Sequence, residues 1–222
     1  MKYKLTPYGH RAWLLQFPSD GFSKLLCQNI LHLADLFRSH DQIWSEIVPA
    51  YDSLLLKLCP NIDRSISEKI ISHALETFAP SEELLPAGTI IDIPVNYGGE
   101  SGPDLMHVAN EAGISPDEVI ALHSQKLYMV CLMGFIPGFA FMSDTDPKLH
   151  IPRREQPRAF VPAGSVGLAG WQTGIYGLES PGGWQIIGRT SLRLFEPNRD
   201  PAFLLKAGDW IRFIPEDVAS VS

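Results

Sequence analysis

Glycine is spread so unevenly along this chain that it has to hold two differently built halves. Only Gly9 and Gly21 precede Gly88, and the other 16 of the 18 glycines follow. A glycine-poor stretch suits helices and regular strands, whereas a glycine-rich one suits tight turns, bulges and close backbone approach. The change falls at Pro86-Ala87-Gly88 and divides the 222 residues into 1–88 and 89–222. Each part is long enough to bury a core of its own.

The first half reads as α+β. Lys2–Leu5 and Ala12–Phe17 are short apolar runs of strand type. Phe22, Leu25, Leu26, Ile30, Leu33, Leu36 and Phe37 recur at helical spacing, with Asp20-Gly21 as the predicted start. Ile43–Val48 and Ser53–Leu58 read as two further strands. Ile66, Ile70, Ile71, Ala74, Leu75 and Phe78 line one face of a second helix, which the capping box Ser65-x-x-Glu68 should open. Thr89–Val95 is read as the strand that closes this unit. Helices on one face of a sheet are the layered solution such an order favours.

The second half is punctuated differently. Asn96–Pro103 is too rich in glycine for regular structure, Asp104 is placed to cap a short helix through Asn110, and Ser115-Pro116-Asp117-Glu118 is a capping box with proline at the first helical position. That helix should end near His123. Beyond Gln125, short apolar runs alternate with Gly and Pro: Leu127–Met133, Phe160–Pro162, Ser165–Ala169, Gly174–Tyr176, Trp184–Arg189, Leu192–Phe195 and Asp209–Ile214. Short strands at this spacing predict a closed β-barrel.

Composition excludes several functions. Hydrophobic residues make up 45% and charged residues 19%, a globular mixture. A net charge of −7 argues against a broad nucleic-acid surface. Cys27, Cys59 and Cys131 are odd in number and far apart, which disfavours a disulfide scaffold and a thiolate metal site. The start of the chain lacks the apolar core of a signal peptide, and the run Leu127–Met142 is broken by Gly134, Pro137 and Gly138, so no membrane span is expected. The expectation is a cytoplasmic protein. No phosphate loop of the G-x-x-x-x-G-K-[ST] type and no G-x-G-x-x-G occurs; Ser165 lacks the glycine two residues before it that a nucleophile elbow needs, because Ala163 stands there. The seven histidines show neither H-x-H nor H-E-x-x-H spacing, so no metal site is expected.

Four features could carry chemistry. Gly134-Phe135-Ile136-Pro137-Gly138-Phe139 either exposes backbone N–H groups to an oxyanion or is a bend that packs aromatics. Pro152-Arg153-Arg154-Glu155-Gln156-Pro157-Arg158 is a stiff cationic loop whose guanidinium forks match a carboxylate or phosphate. Gln172 and Thr173, an amide and a hydroxyl between glycines, suit a small polar ligand such as a lactam. His123 is either a proton carrier or a helix-end residue satisfied by the dipole.

Taken in order, the residues carry a resemblance. Tyr97-Gly98-Gly99-Glu100-x-Gly102-Pro103-Asp104-Leu105, His123, Gly134-Phe135-x-Pro137-Gly138-Phe139, Pro152-Arg153-Arg154, Pro157-Arg158, Val161–Gly167, Gln172-Thr173-Gly174-x-Tyr176 and Pro181-Gly182-Gly183-Trp184-x-x-x-Gly188-x-Thr190 stand as they do in one family. The chain resembles the B subunit of bacterial ATP-dependent 5-oxoprolinase, a family also called KipI-like or allophanate hydrolase subunit 1. The resemblance is sharpest from Val95 to Pro215. It implies an α+β N-terminal domain followed by a cyclophilin-like β-barrel domain with short linking helices. It also implies opening of the lactam of 5-oxoproline to glutamate with ATP as co-substrate, in a complex with the 5-oxoprolinase C (KipA-like) and A subunits. Carried over, Arg154 and Arg158 would hold a carboxylate or phosphate, Gln172 and Thr173 would read the lactam, and His123 would transfer a proton. The family leaves two alternatives open: another amide such as allophanate as substrate, and a regulatory protein that binds a sensor histidine kinase.

Overall fold

In the computed structural model, residues 2–84 and 90–216 are described. The chain divides into two compact units, Met1–Leu85 and Pro86–Ser222. Gly88 and Thr89, where the sequence places the division, lie outside the described residues.

The first unit is a four-stranded antiparallel sheet with two helices. Its strands are β1 (Lys4–Pro7), β2 (Ala12–Gln16), β3 (Trp44–Pro49) and β4 (Ser53–Leu58), in the order β1-β2-β4-β3. Strand β4 alternates strictly, burying Leu54, Leu56 and Leu58 on one face. Helix α1 (Lys24–Arg38) buries Cys27, Ile30, Leu31, Leu33, Ala34 and Phe37, the i, i+3, i+4, i+7 stripe that the spacing predicts. Its cap is Ser23, whose hydroxyl accepts from the Leu26 N–H, so the helix starts three residues after Asp20. Helix α2 (Arg64–Thr77) is likewise capped upstream of the predicted box: the Asp63 carboxylate accepts from Ser65 N at 2.7 Å. One turn later, the Ser67 hydroxyl is drawn into the core to accept from Trp13 Nε1 at 2.9 Å. A carboxylate before the first turn satisfies an orphan N–H directly, which leaves the Ser65 box unused.

The second unit is a closed seven-stranded barrel that fits the cyclophilin-like fold. Its strands are β5 (Ile90–Tyr97), β6 (Leu127–Met133), β7 (Ala140–Ser143), β9 (Ser165–Ala169), β10 (Gln172–Ile175), β12 (Gln185–Arg189) and β13 (Trp210–Pro215). Around the barrel the order is β10-β7-β6-β13-β5-β12-β9. Strands β8 (Arg158–Val161) and β11 (Ser180–Gly182) form a separate two-stranded sheet. The strand predicted to close the first unit is β5, and it belongs here: it pairs in parallel with β13, from Trp210 opposite Ile90 to Pro215 opposite Val95. Leu192–Phe195 is not a strand; only Phe195 makes an isolated bridge, to Phe203. Helices α3 (Leu105–Ala112) and α4 (Pro116–Ser124) pack on β12 and β13, adding Leu105, Val108, Ala109 and Val119 to the core around Ile93, Val95, Val130, Ile187 and Phe213. The Ser115 hydroxyl caps α4 by accepting from Glu118 N at 3.1 Å, with Pro116 at the first position, as the capping box predicts.

Candidate functional site

The site is built by one loop lying flat on β12. Gly98 N donates to Ile187 O at 3.1 Å, Gly102 N to Gly98 O at 2.7 Å and Asp104 N to Ile186 O at 2.9 Å. The approach is so close that a Cβ on Gly102 would stand 2.0 Å from Ile187 O, and Gly98 has a φ of +71°. Only glycine fits either position. The product of this docking is Asp104, whose side chain is only 4% exposed.

Asp104 does not cap α3 with its side chain. Its Oδ1 accepts from Arg154 Nη1 at 2.8 Å and from Arg158 Nη2 at 2.7 Å. Its Oδ2 accepts from Arg158 Nη1 at 2.7 Å and from Ile186 N at 2.6 Å. Four donors use the full accepting capacity of one carboxylate, and Arg158 makes the two-pronged fork. A carboxylate this enclosed has to be paired. The two guanidinium groups keep 33% and 25% exposure, so the trio shows a net single positive charge toward solvent.

Beside it opens a cleft of about 460 Å³. Its walls are His107 and Glu111 of α3 and the loop from Pro152 to Gln156, and Gln185 of β12 lines it as well. Two short backbone-level ties hold these pieces together: Arg154 N donates to Gly183 O at 2.8 Å, and Gln185 Nε2 donates to Pro152 O at 3.1 Å. Arg153 lies over the Trp184 ring at 5.9 Å. Gln185 is 3% exposed, yet its Oε1 has no partner among the described residues, and neither has the buried Arg154 Nε. An unmade hydrogen bond on a buried group costs about 1–3 kcal/mol, so two such atoms lining one cleft are unusual.

A second polar cluster is inside the barrel. His123 is fully buried, stacked on Phe213 with ring centroids 4.4 Å apart. Tyr97 Oη lies 2.7 Å from its Nδ1 and Thr173 Oγ1 lies 2.8 Å from its Nε2. Thr173 Oγ1 donates to Gly167 O at 3.1 Å, and a carbonyl can only accept. The threonine hydrogen is thus used, so His123 Nε2–H donates to Thr173 and Nδ1 accepts from the Tyr97 hydroxyl. Every hydrogen in the chain Tyr97–His123–Thr173–Gly167 is placed. Burial holds the imidazole neutral by pushing its pKa down to about 3, and desolvation raises the Tyr97 hydroxyl above its ordinary value.

The five residues singled out from sequence therefore do not form one constellation. Arg154 and Arg158 meet on Asp104. His123 and Thr173 meet in the barrel core, bound to each other. Gln172 precedes Thr173 on β10, and neighbours on a strand face opposite sides, so with Thr173 pointing inward the amide points away from it. Gly134–Gly138 is a turn joining β6 to β7: Gly134 N donates to Phe139 O at 3.3 Å, and Phe139 packs against Tyr176 and Trp184. The residues that sequence reasoning passed over are Asp104 as an arginine anchor and Gln185 as a buried amide. The signal for Gln185 was present: one carboxamide among Trp184, Ile186 and Ile187.

The family model "Carboxyltransferase domain, subdomain C and D" matches residues 3–205. The chain is 36% identical to the 5-oxoprolinase B subunit of Bacillus subtilis (strain 168), covering 96% of this chain and 93% of that protein. It is 45% identical to the 5-oxoprolinase B subunit of Escherichia coli O157:H7 over 77% of this chain and 78% of that one. The crystal structure of TTHA0988 superposes with a TM-score of 0.80 at 37% identity, over 93% of this chain and 40% of that chain. This chain thus spans about 40% of the length of TTHA0988. Among the described residues, no three His, Cys, Asp or Glu side chains cluster to hold a metal, and no helix is long and apolar enough to cross a membrane. By the extent of these matches, and by the convergence of its signature blocks on Asp104, the chain belongs to the carboxyltransferase subdomain C and D family, among the 5-oxoprolinase B subunits.

Proposed function

We propose that this chain is the B subunit of a cytoplasmic, ATP-dependent 5-oxoprolinase complex, opening 5-oxoproline to glutamate together with the C and A subunits. The observation that carries this reading is convergence. Residues 98–104, 152–158 and 183–186, far apart in sequence, meet around the Asp104 carboxylate at the mouth of one polar cleft. Two supports come from relatives: the bacterial B subunits carry the 5-oxoprolinase name, and TTHA0988 joins the equivalent of this chain to more polypeptide in one molecule. A cleft open on one side suits completion by another polypeptide.

Lactam opening needs activation, because the amide is resonance-stabilised and ring closure competes with hydrolysis. The role assigned to this chain is to bind and orient the lactam. Arg154 contacts it, while Asp104 and Arg158 position Arg154 by fixing its outer nitrogen. ATP is the co-substrate of the complex, and activation is the chemistry it supplies. The cleft beside Asp104 does not fit a polyphosphate: Arg153 and the net single positive charge of the Asp104 trio are balanced by Glu111 and Glu155. Surplus positive charge is found instead in a second cleft of about 560 Å³, where Arg189 and Arg193 face Glu196. His123 and Thr173 act as a buried brace of the barrel in this reading.

The test is reconstitution. The chain is mixed with its candidate C and A subunits, and glutamate formed from 5-oxoproline is measured with and without ATP. ATP-dependent glutamate that vanishes when this chain is left out is the expected result. No glutamate from the full set, or equal glutamate without this chain, sinks the reading.

A further inference from the structure

We infer that the cleft beside Asp104 reads a cis amide at two points: Gln185 Oε1 takes the N–H, and Arg154 Nε–H takes the C=O, of one lactam or ureido group. This rests on the lactam reading above and specifies which atoms do the reading.

The argument starts from donors and acceptors. Gln185 Nε2 donates to Pro152 O, and a carbonyl cannot donate in return, so the amide cannot be flipped and the group left over is an acceptor. That acceptor belongs to a side chain only 3% exposed and lining the cleft. Arg154 has spent its backbone N–H on Gly183 O and its Nη1 on Asp104. Asp104 already accepts four hydrogen bonds and has no capacity for Nε–H. The remaining group on Arg154 is therefore a donor. The pairs Pro152–Gln185 and Arg154–Gly183 hold the two side chains in fixed relation, because they tie residues 152 and 154 of one segment to 185 and 183 of the other.

One buried acceptor and one buried donor select their ligand by chemistry. A carboxylate or phosphate would set oxygen against Gln185 Oε1. An amine would leave Arg154 Nε unmatched. A cis amide, with its N–H and C=O on one edge, matches both. The balanced charges around the cleft favour a neutral reading group over a polyanion. Arg153, stacked on Trp184 at the rim, is placed to meet a carboxylate carried on the same ligand.

The experiment uses the full chain, alone and reconstituted with its candidate partner subunits. Dissociation constants are measured by ligand-observed NMR for 5-oxoproline, 2-pyrrolidone, N-methyl-2-pyrrolidone and proline. The first two should bind, N-methylation should weaken binding at least ~10-fold, and proline, which lacks the carbonyl, should not bind. Gln185→Met and Arg154→Lys should each weaken 5-oxoproline at least ~10-fold, read as Kd in the chain or as KM with kcat retained in an active complex. If Gln185→Met does not fold, the ligand series on the unaltered chain decides. Equal binding of 2-pyrrolidone and its N-methyl derivative, no binding in either form, or unchanged affinity in a folded Gln185→Met overturns the inference; the two atoms then face only water. A complex that makes glutamate while Gln185→Met leaves KM unchanged keeps the lactam reaction and removes this site. N–H-dependent binding without any glutamate keeps the site and removes the reaction.

Discussion

Asp104→Asn is the sharpest perturbation of the arginine anchor. The substitution keeps the shape and removes the charge. In its place an amide N–H₂ faces a guanidinium, so donor meets donor. The native carboxylate accepts three guanidinium hydrogen bonds of 2.7–2.8 Å and one backbone bond of 2.6 Å. Hydrogen bonds to charged groups contribute about 1.5–3 kcal/mol each, but they do not add, and removing one member of a buried ion pair costs about 3–5 kcal/mol in all. The arginines are 33% and 25% exposed and can turn toward water, which lowers the figure. The expected loss is about 3 kcal/mol, borne by the barrel. Hydrogen exchange read by mass spectrometry measures it locally. Peptides spanning 183–189, which include the Ile186 N–H bound to Asp104, should lose about 100-fold in protection, while peptides spanning 53–58 serve as control. Arg158→Met should cost less, and the double variant should fall short of additivity by at least about 1 kcal/mol. A loss below about 10-fold, strict additivity, or an equal loss in the control peptides refutes the idea that Asp104 organises this face.

Other outcomes follow from the same geometry. His123 has its pKa lowered from 6.5 to about 3, so below pH 6.5 the unfolded chain takes up a proton that the folded barrel refuses. Barrel stability should then fall by about 2 kcal/mol between pH 7 and pH 5 and continue falling toward pH 3. His123→Gln should flatten that acid slope in urea titrations, and an unchanged slope would assign it to other groups. Thr173→Val leaves His123 Nε2–H and the Gly167 carbonyl without their partner, and should destabilise the barrel by about 1–3 kcal/mol in the same titrations. Gly102→Ala places a Cβ 2.0 Å from Ile187 O and should cost about 2 kcal/mol or more, with lost protection along β12; a neutral result would show that the loop can lift off the strand.

Several elements were readable from local pattern. The stripe of α1, the alternation of β4, the run of β6 and the Ser115 box of α4 each depend on neighbours within about one turn or one strand, which sequence spacing reports directly. Where two local signals competed, the nearer donor–acceptor match won, as Asp63 did over the Ser65 box. Strand β7 was missed because four residues after a Gly-Pro turn carry too little pattern, and Leu192–Phe195 was apolar without finding a partner to pair with.

The site divides the same way. Asp104, read locally, is a helix cap; its actual partners are 50, 54 and 82 residues away. Gln172 and Thr173, adjacent in sequence, looked like one recognition pair, but a strand sends neighbours to opposite faces. His123 was visible as a histidine at a helix end, and only its enclosure by Phe213, Tyr97 and Thr173 makes it neutral and inward-facing.

Sequence alone determined the two-part plan, the barrel character of the glycine-rich half and the family membership, because those depend on composition, periodicity and ordered motifs. Only the tertiary structure decided which arginines are tied up, which histidine is sealed away and which amide is left with a bare oxygen. Those are matters of donor and acceptor counting across long loops, and the count closes only once the chain has folded back on itself.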